Sequence, residues 1–114
     1  SSDLVPPDEH AKHLLVEAQT EYLKGQLSQA LSLLQELVAR FPGDCEGRLL
    51  LATLCRRIGR ASDARKHLAE LLELPQAHAW RMEIDTEQRE LTRTTKELND
   101  STDSIRIHSP KAAA

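Results

Sequence analysis

Few side chains in this chain offer chemistry, and their spacing limits what they could do. Five histidines are scattered over 114 residues. His10 and His13 stand three apart with Glu9 and Glu17 nearby, so on a helix they would share a face. A metal needs a third and fourth ligand held rigidly. None accompanies this pair, and a solvated helix end is the simpler reading. His67 and His78 read as surface or partly buried residues. Cys45 and Cys55 lie near the start and the far end of one helical pattern. At 1.5 Å per residue they are about 15 Å apart, beyond disulfide reach. Cys55 falls at a core position and reads as a small hydrophobe. Two unpaired thiols favour a reducing compartment, so a soluble, cytoplasmic setting is slightly preferred. The sequence holds no glycine-rich phosphate loop, nucleophile elbow or HExxH motif. The chain therefore reads as a non-enzyme, with no cofactor and no metal.

The densest chemical signal is basic. Arg56, Arg57, Arg60, Arg65, Lys66 and His67 crowd one short stretch, opposed only by Asp63. Guanidinium groups suit a carboxylate-bearing partner; the plainer use is to solvate a helix end. RNA would be a third use, but the formal net charge is −3 and only Tyr22, Phe41 and Trp80 are aromatic. No nucleic-acid partner is expected. No apolar run reaches the ~18–20 residues that span a bilayer, so no membrane span is expected either. The length suits one domain with a modest, aliphatic core built on Leu and Ala.

The elements that carry these residues are marked by sparse Gly and Pro. Pro6-Pro7 close a leader, Gly25 and Gly59 interrupt helical patterns, and Pro42 and Pro75 stop two others. Between them apolar residues recur at helical spacing: Ala11, Leu14, Leu15, Ala18 and Tyr22; Leu27, Ala30, Leu31, Leu34, Leu37 and Val38; Leu50, Leu51, Leu54 and Ile58; Ala61, Ala64, Leu68, Leu71 and Leu72. None alternates as a strand would. The spacing predicts helices at about 8–24, 28–40, 44–58 and 61–73, with Ser28 and Ser62 capping the second and fourth. The fold class is all-α.

Shifting the sequence by 34 positions superimposes the first helix pair on the second. Leu15 meets Leu49, Ala18 meets Ala52, Gly25 meets Gly59, Ser28 meets Ser62, Ala30 meets Ala64, Leu34 meets Leu68, Glu36 meets Glu70 and Leu37 meets Leu71. A fixed period of this kind signals stacked supersecondary units. On these residues the segment 11–75 resembles two tetratricopeptide repeats. Leu51-Ala52 followed by Cys55 is similar to the family's Leu-Gly-x-x-Tyr pattern. Gly59, Ala64, Leu68, Leu71 and Pro75 stand near its Gly, Ala, Phe, Ala and Pro positions, and Ala18, Gly25, Ala30, Leu34, Leu37 and Pro42 do so in the first repeat. The sequence departs from the pattern at Glu17 and Glu21, which take normally apolar places, and in lacking the large aromatic of the second helices. The resemblance implies a right-handed solenoid of helical hairpins, with repeats at about 11–42 and 45–75.

Two repeats leave an apolar face uncovered. Ala77, Trp80, Ile84, Leu91 and Leu98 lie along a further helix at about 76–98, predicted to cap the stack with Trp80 and Ile84 packed on Leu68, Leu71 and Leu72. Ile84, Leu91 and Leu98 also hint at a coiled-coil seam, weakened by Glu87 and Thr94 between them, while Arg93 and Glu97 are placed to pair on its surface. Residues 1–7 read as a flexible leader, 8–98 as the helical domain and 99–114 as a disordered tail. Both ends look cut from a longer chain.

In the family the inner wall comes from the first helix of each repeat. The resemblance thus places Lys12, Leu15, Gln19, Tyr22 and Leu23 on that wall in the first repeat, and Glu46, Leu49, Thr53, Arg56 and Arg57 in the second. It implies a protein or peptide partner, with acidic groups suited to the arginines. The family's clamp for a terminal carboxylate, made of Lys and Asn, is not matched by Leu15, Gln19, Leu49 and Thr53. The leading expectation is a non-enzymatic interaction module binding a peptide or protein segment in the concave groove. The alternative is a homo-oligomerisation or scaffold element of a larger protein.

Overall fold

The computed structural model describes the backbone of residues 7–113 and side chains from Asp8 to Glu97. The described residues form α1 (Pro7–Leu23), α2 (Leu27–Arg40), α3 (Cys45–Arg57), α4 (Ala61–Leu72), a single 3-10 turn (Ala77–Trp80) and α5 (Arg81–Ala113). The leader falls outside this range except for Pro7, which opens α1 where its missing N–H costs nothing. The fifth helix is longer than the sequence reading made it, its backbone continuing past 98 to Ala113. Nothing between Arg81 and Ser109 is Gly or Pro, so no residue there breaks the ladder.

Each hairpin is closed the same way. Gly25 (φ 81°) and Gly59 (φ 86°) take the left-handed conformation that glycine adopts without strain. The Gln26 N–H then donates to the Glu21 carbonyl at 2.9 Å, and the Arg60 N–H to the Cys55 carbonyl at 2.7 Å. These are Schellman closures one repeat apart. They run straight into the next helix, with Gln26 and Arg60 at its N-cap and no side-chain cap bond. Ser28 and Ser62 therefore sit inside the first turn and do not cap, contrary to the sequence expectation. The side chain that does cap is Asp44, whose Oδ1 accepts from the Gly47 N–H at 2.8 Å.

Packing follows from the small residues. Ala18, Ala30, Ala52 and Ala64 are buried where the two helices of each hairpin cross, and Leu34, Leu37, Leu68 and Leu71 fill the space beside them. Each fully buried Leu contributes about 2 kcal/mol of transfer free energy. α1 pairs with α2, α3 with α4, and α2 lies against α3. Gly47 makes that last approach possible, because a Cβ there would stand 2.4 Å from Leu37 Cδ2.

α5 packs on α3 and α4, as a cap must. Ile84 and Leu91 are buried there. The coiled-coil seam is therefore already used inside the chain as far as Leu91, while the Leu98 side chain lies outside the described residues. Trp80 is partly buried against the core, but it borders a depression shared with Asp8, Phe41 and Asp44. Leu72, which it was expected to cover, remains 51% exposed.

Candidate functional site

The residues placed on the inner wall by the sequence reading are all carried by the first helix of each hairpin, α1 and α3. Lys12 and Glu46 are exposed, and Gln19, Tyr22 and Thr53 are half-buried. Leu15 and Leu49 are each only 9% exposed and belong to the core, so, contrary to the sequence expectation, they offer a partner almost no surface. Leu23, at the end of α1, is 84% exposed.

The two arginines at the end of α3 are neighbours in sequence with different surroundings. Arg56 Nε donates to Glu87 Oε2 at 2.6 Å and its Nη2 to Glu87 Oε1 at 3.3 Å. This is a forked pair between α3 and α5, with the two side chains 17% and 11% exposed. The hydrogen bond to Glu87 holds the guanidinium above its ordinary pKa against the opposing effect of burial. Such a pair fixes geometry through two parallel bonds. The sequence reading offered Arg56 to a partner's carboxylate; the chain's own Glu87 fills that role. Arg57 is exposed, and its guanidinium carbon lies 5.5 Å from the centroid of the Tyr22 ring, within cation–π range. No carboxylate of the described residues pairs with it. The stack joins the end of α1 to the end of α3, as Glu87 joins α3 to α5.

The remaining basic residues separate. Arg65 reaches α5, its Nη2 donating to the Leu91 carbonyl at 3.4 Å and to Thr95 Oγ1. His67 is half-buried; burial lowers its pKa, Arg48 and Lys66 push the same way, and Glu70 and Asp63 oppose them. Its Nδ1 has no hydrogen-bond partner among the described residues.

Two residues that sequence reasoning missed hold the second repeat together. Arg48 is buried, with Nη1 donating to Glu70 on α4 and Nη2 to the Pro42 carbonyl at 3.2 Å. Its signal was visible: an arginine falls where the first repeat has the core residue Leu14, opposite a glutamate that recurs as Glu36 and Glu70. Glu36, with no such arginine, pairs with Arg40 at 3.0 Å on the surface. Glu87 was the other, seen only as a flaw in a heptad. The surface pair expected between Arg93 and Glu97 is present at 2.9 Å.

Cys45 and Cys55 are unpaired and buried. Burial pushes both thiols up, with Asp44 adding to the shift at Cys45 and Asp63 at Cys55. Among the described residues no three His, Cys, Asp or Glu side chains come together to hold a metal ion. No helix there is long and apolar enough to cross a membrane.

Matching hairpins, closed by glycine at one period and stacked through small residues, define a helical-repeat protein. A family model for the tetratricopeptide repeat matches residues 21–82, more than half of the chain, and the chain belongs to that family. No curated protein matches it. Tetratricopeptide repeats in general mediate protein–protein interaction and are non-catalytic.

Proposed function

We propose that the chain binds an extended protein or peptide segment along the inner wall of α1 and α3, with Arg57 as the contact for an acidic group. The observation that carries this reading is the division of labour between the arginines. Arg56 is neutralised within the chain, whereas Arg57 is exposed, held over Tyr22 and without a carboxylate partner among the described residues. A guanidinium supported on a ring face is ordered before binding, so less side-chain freedom is lost when a carboxylate arrives. Lys12, Gln19, Thr53 and the exposed Leu23 supply adaptable polar contacts and one apolar contact around it.

The test is a fluorescence-anisotropy screen of extended peptides carrying glutamate or a free C-terminal carboxylate. The reading expects saturable 1:1 binding that Arg57→Glu weakens by ~10-fold or more, with the unfolding midpoint retained. An affinity indifferent to Arg57→Glu would remove it. Arg56→Glu is the wrong probe, because it places two carboxylates together between α3 and α5.

A further inference from the structure

We propose that the groove between α4 and α5 is a second docking surface, fitted to an acidic amphipathic helix of a partner protein. The groove encloses about 470 Å³. On the α4 side it is lined by Arg65, Leu68, Ala69 and Leu72, and on the α5 side by Gln88, Leu91 and Thr92. The α4 residues fall at i, i+3, i+4 and i+7, and the α5 residues at i, i+3 and i+4. Each helix thus presents one ridge, and the channel between two ridges is what a third helix packs into. One repeat earlier, the place alongside α3 is filled by α4. Among the described residues no helix fills the corresponding place alongside α5. Leu72, half exposed in the groove wall, is the apolar contact left open.

Charge selects the occupant. A shallower depression of about 590 Å³ adjoins the groove through the shared residues Gln88 and Thr92, and carries Arg89, Arg93 and Lys96 against Asp85. Arg93 is held by Glu90 and Glu97, but Arg65, Arg89 and Lys96 have no carboxylate partner among the described residues. In a chain of net charge −3 this strip is locally cationic. A helix laid in the channel would set its apolar residues against Leu72 and Ala69, over a floor closed by the buried Leu68 and Leu91. Its acidic flank would face Arg89 and Lys96 and the Arg65 guanidinium that bridges to Leu91 and Thr95. This surface is separate from the inner wall and does not depend on Arg57.

The probe is a stapled helical peptide of roughly 15 residues, long enough to hold several turns once constrained. It carries leucines at i, i+3 and i+7 flanked by glutamates. It is titrated into the intact chain by fluorescence anisotropy, and amide chemical shifts of isotope-labelled protein locate it. The proposal expects saturable binding, shifts concentrated on residues 65–72 and 88–96, and losses of ~10-fold or more for Leu72→Asp and for Arg89→Glu with Lys96→Glu. Those side chains are exposed or half exposed, so the variants retain the fold, and Arg57→Glu leaves the affinity unchanged. The proposal is overturned by absent saturation, by equal binding of a lysine-flanked version, or by shifts confined to the wall around Tyr22 and Arg57. A chain whose mass doubles through this face without peptide, lost on Leu72→Asp, would also overturn it by naming a second copy as the occupant.

Discussion

The two repeats close their hairpins identically and then diverge on the faces they turn outward. In α3 the face toward α2, marked by Gly47 beside Leu37, continues through the buried Leu51 and Leu54. One period earlier the same places in α1 hold His13, Glu17 and Thr20, all exposed. Cys55, also buried, has Glu21 as its counterpart. Glu17 and Glu21, departures from the family pattern in the sequence, thus mark a polar outer face, the pattern of a terminal repeat. The second repeat is apolar on one side for α2, and is tied by Arg56 to α5 on the other. Period encodes the hairpin; the exceptions to period encode the neighbours.

The sharpest way to break this comparison is to exchange residues between the repeats. Leu51→Glu places in α3 the residue that α1 carries safely. It buries an unpaired carboxylate and is expected to cost more than about 4 kcal/mol, unfolding the chain. Glu17→Leu should stay within about 0.5 kcal/mol of the parent in urea denaturation. Similar losses for both would mean that the outer face of α1 is packed.

Gly47→Ala gives the same contrast at smaller scale. The new methyl group must displace Leu37, fully buried in α2. Even after the gain in helix propensity, a loss of about 2 kcal/mol is expected, while His13→Ala should be nearly neutral. The hairpin glycines test what the repeats share. Gly25→Ala and Gly59→Ala each force a positive φ on alanine and should each cost about 1–1.5 kcal/mol. Unequal melting shifts would show that the two closures are not equivalent.

The smallest effect is a pH slope confined to the second repeat. His67 stands where the first repeat has Leu33, and burial holds its pKa below the ordinary histidine value. The unfolded chain therefore binds the proton more readily than the folded one. The stability this group contributes is complete above the unfolded pKa of about 6.5, and is lost as pH falls through the lower folded value. His67→Leu should flatten that slope in denaturation series across the same window.

Much of this was legible in the residues. The boundaries of the first four helices, the glycine turns and the alanine crossings are local or periodic, so the sequence carries them directly, whereas both ends of the fifth helix were misplaced. The caps were misread because a Schellman closure leads into the next helix before Ser28 or Ser62 can act, which spacing alone does not reveal. The site was half legible. Arg56 and Arg57 stood out as a charge cluster, but whether an arginine faces a partner or its own chain depends on a carboxylate 31 residues away. Arg48 and Glu70, 22 apart, pose the same problem. A break in the period can mark such an arginine, as Arg48 in the place of Leu14 does, but it does not name the carboxylate, and that pairing separates the arginine that holds the fold from the one left exposed.

That separation is tested most directly by urea denaturation of Arg56→Ala and Arg57→Ala side by side. Removing Arg56 leaves Glu87 largely buried without its partner, and a loss of about 3 kcal/mol is expected. Removing Arg57 gives up one exposed ring contact, worth less than about 1 kcal/mol. Equal losses, or the larger loss at Arg57, would contradict the assignment of Arg56 to the fold and Arg57 to the partner.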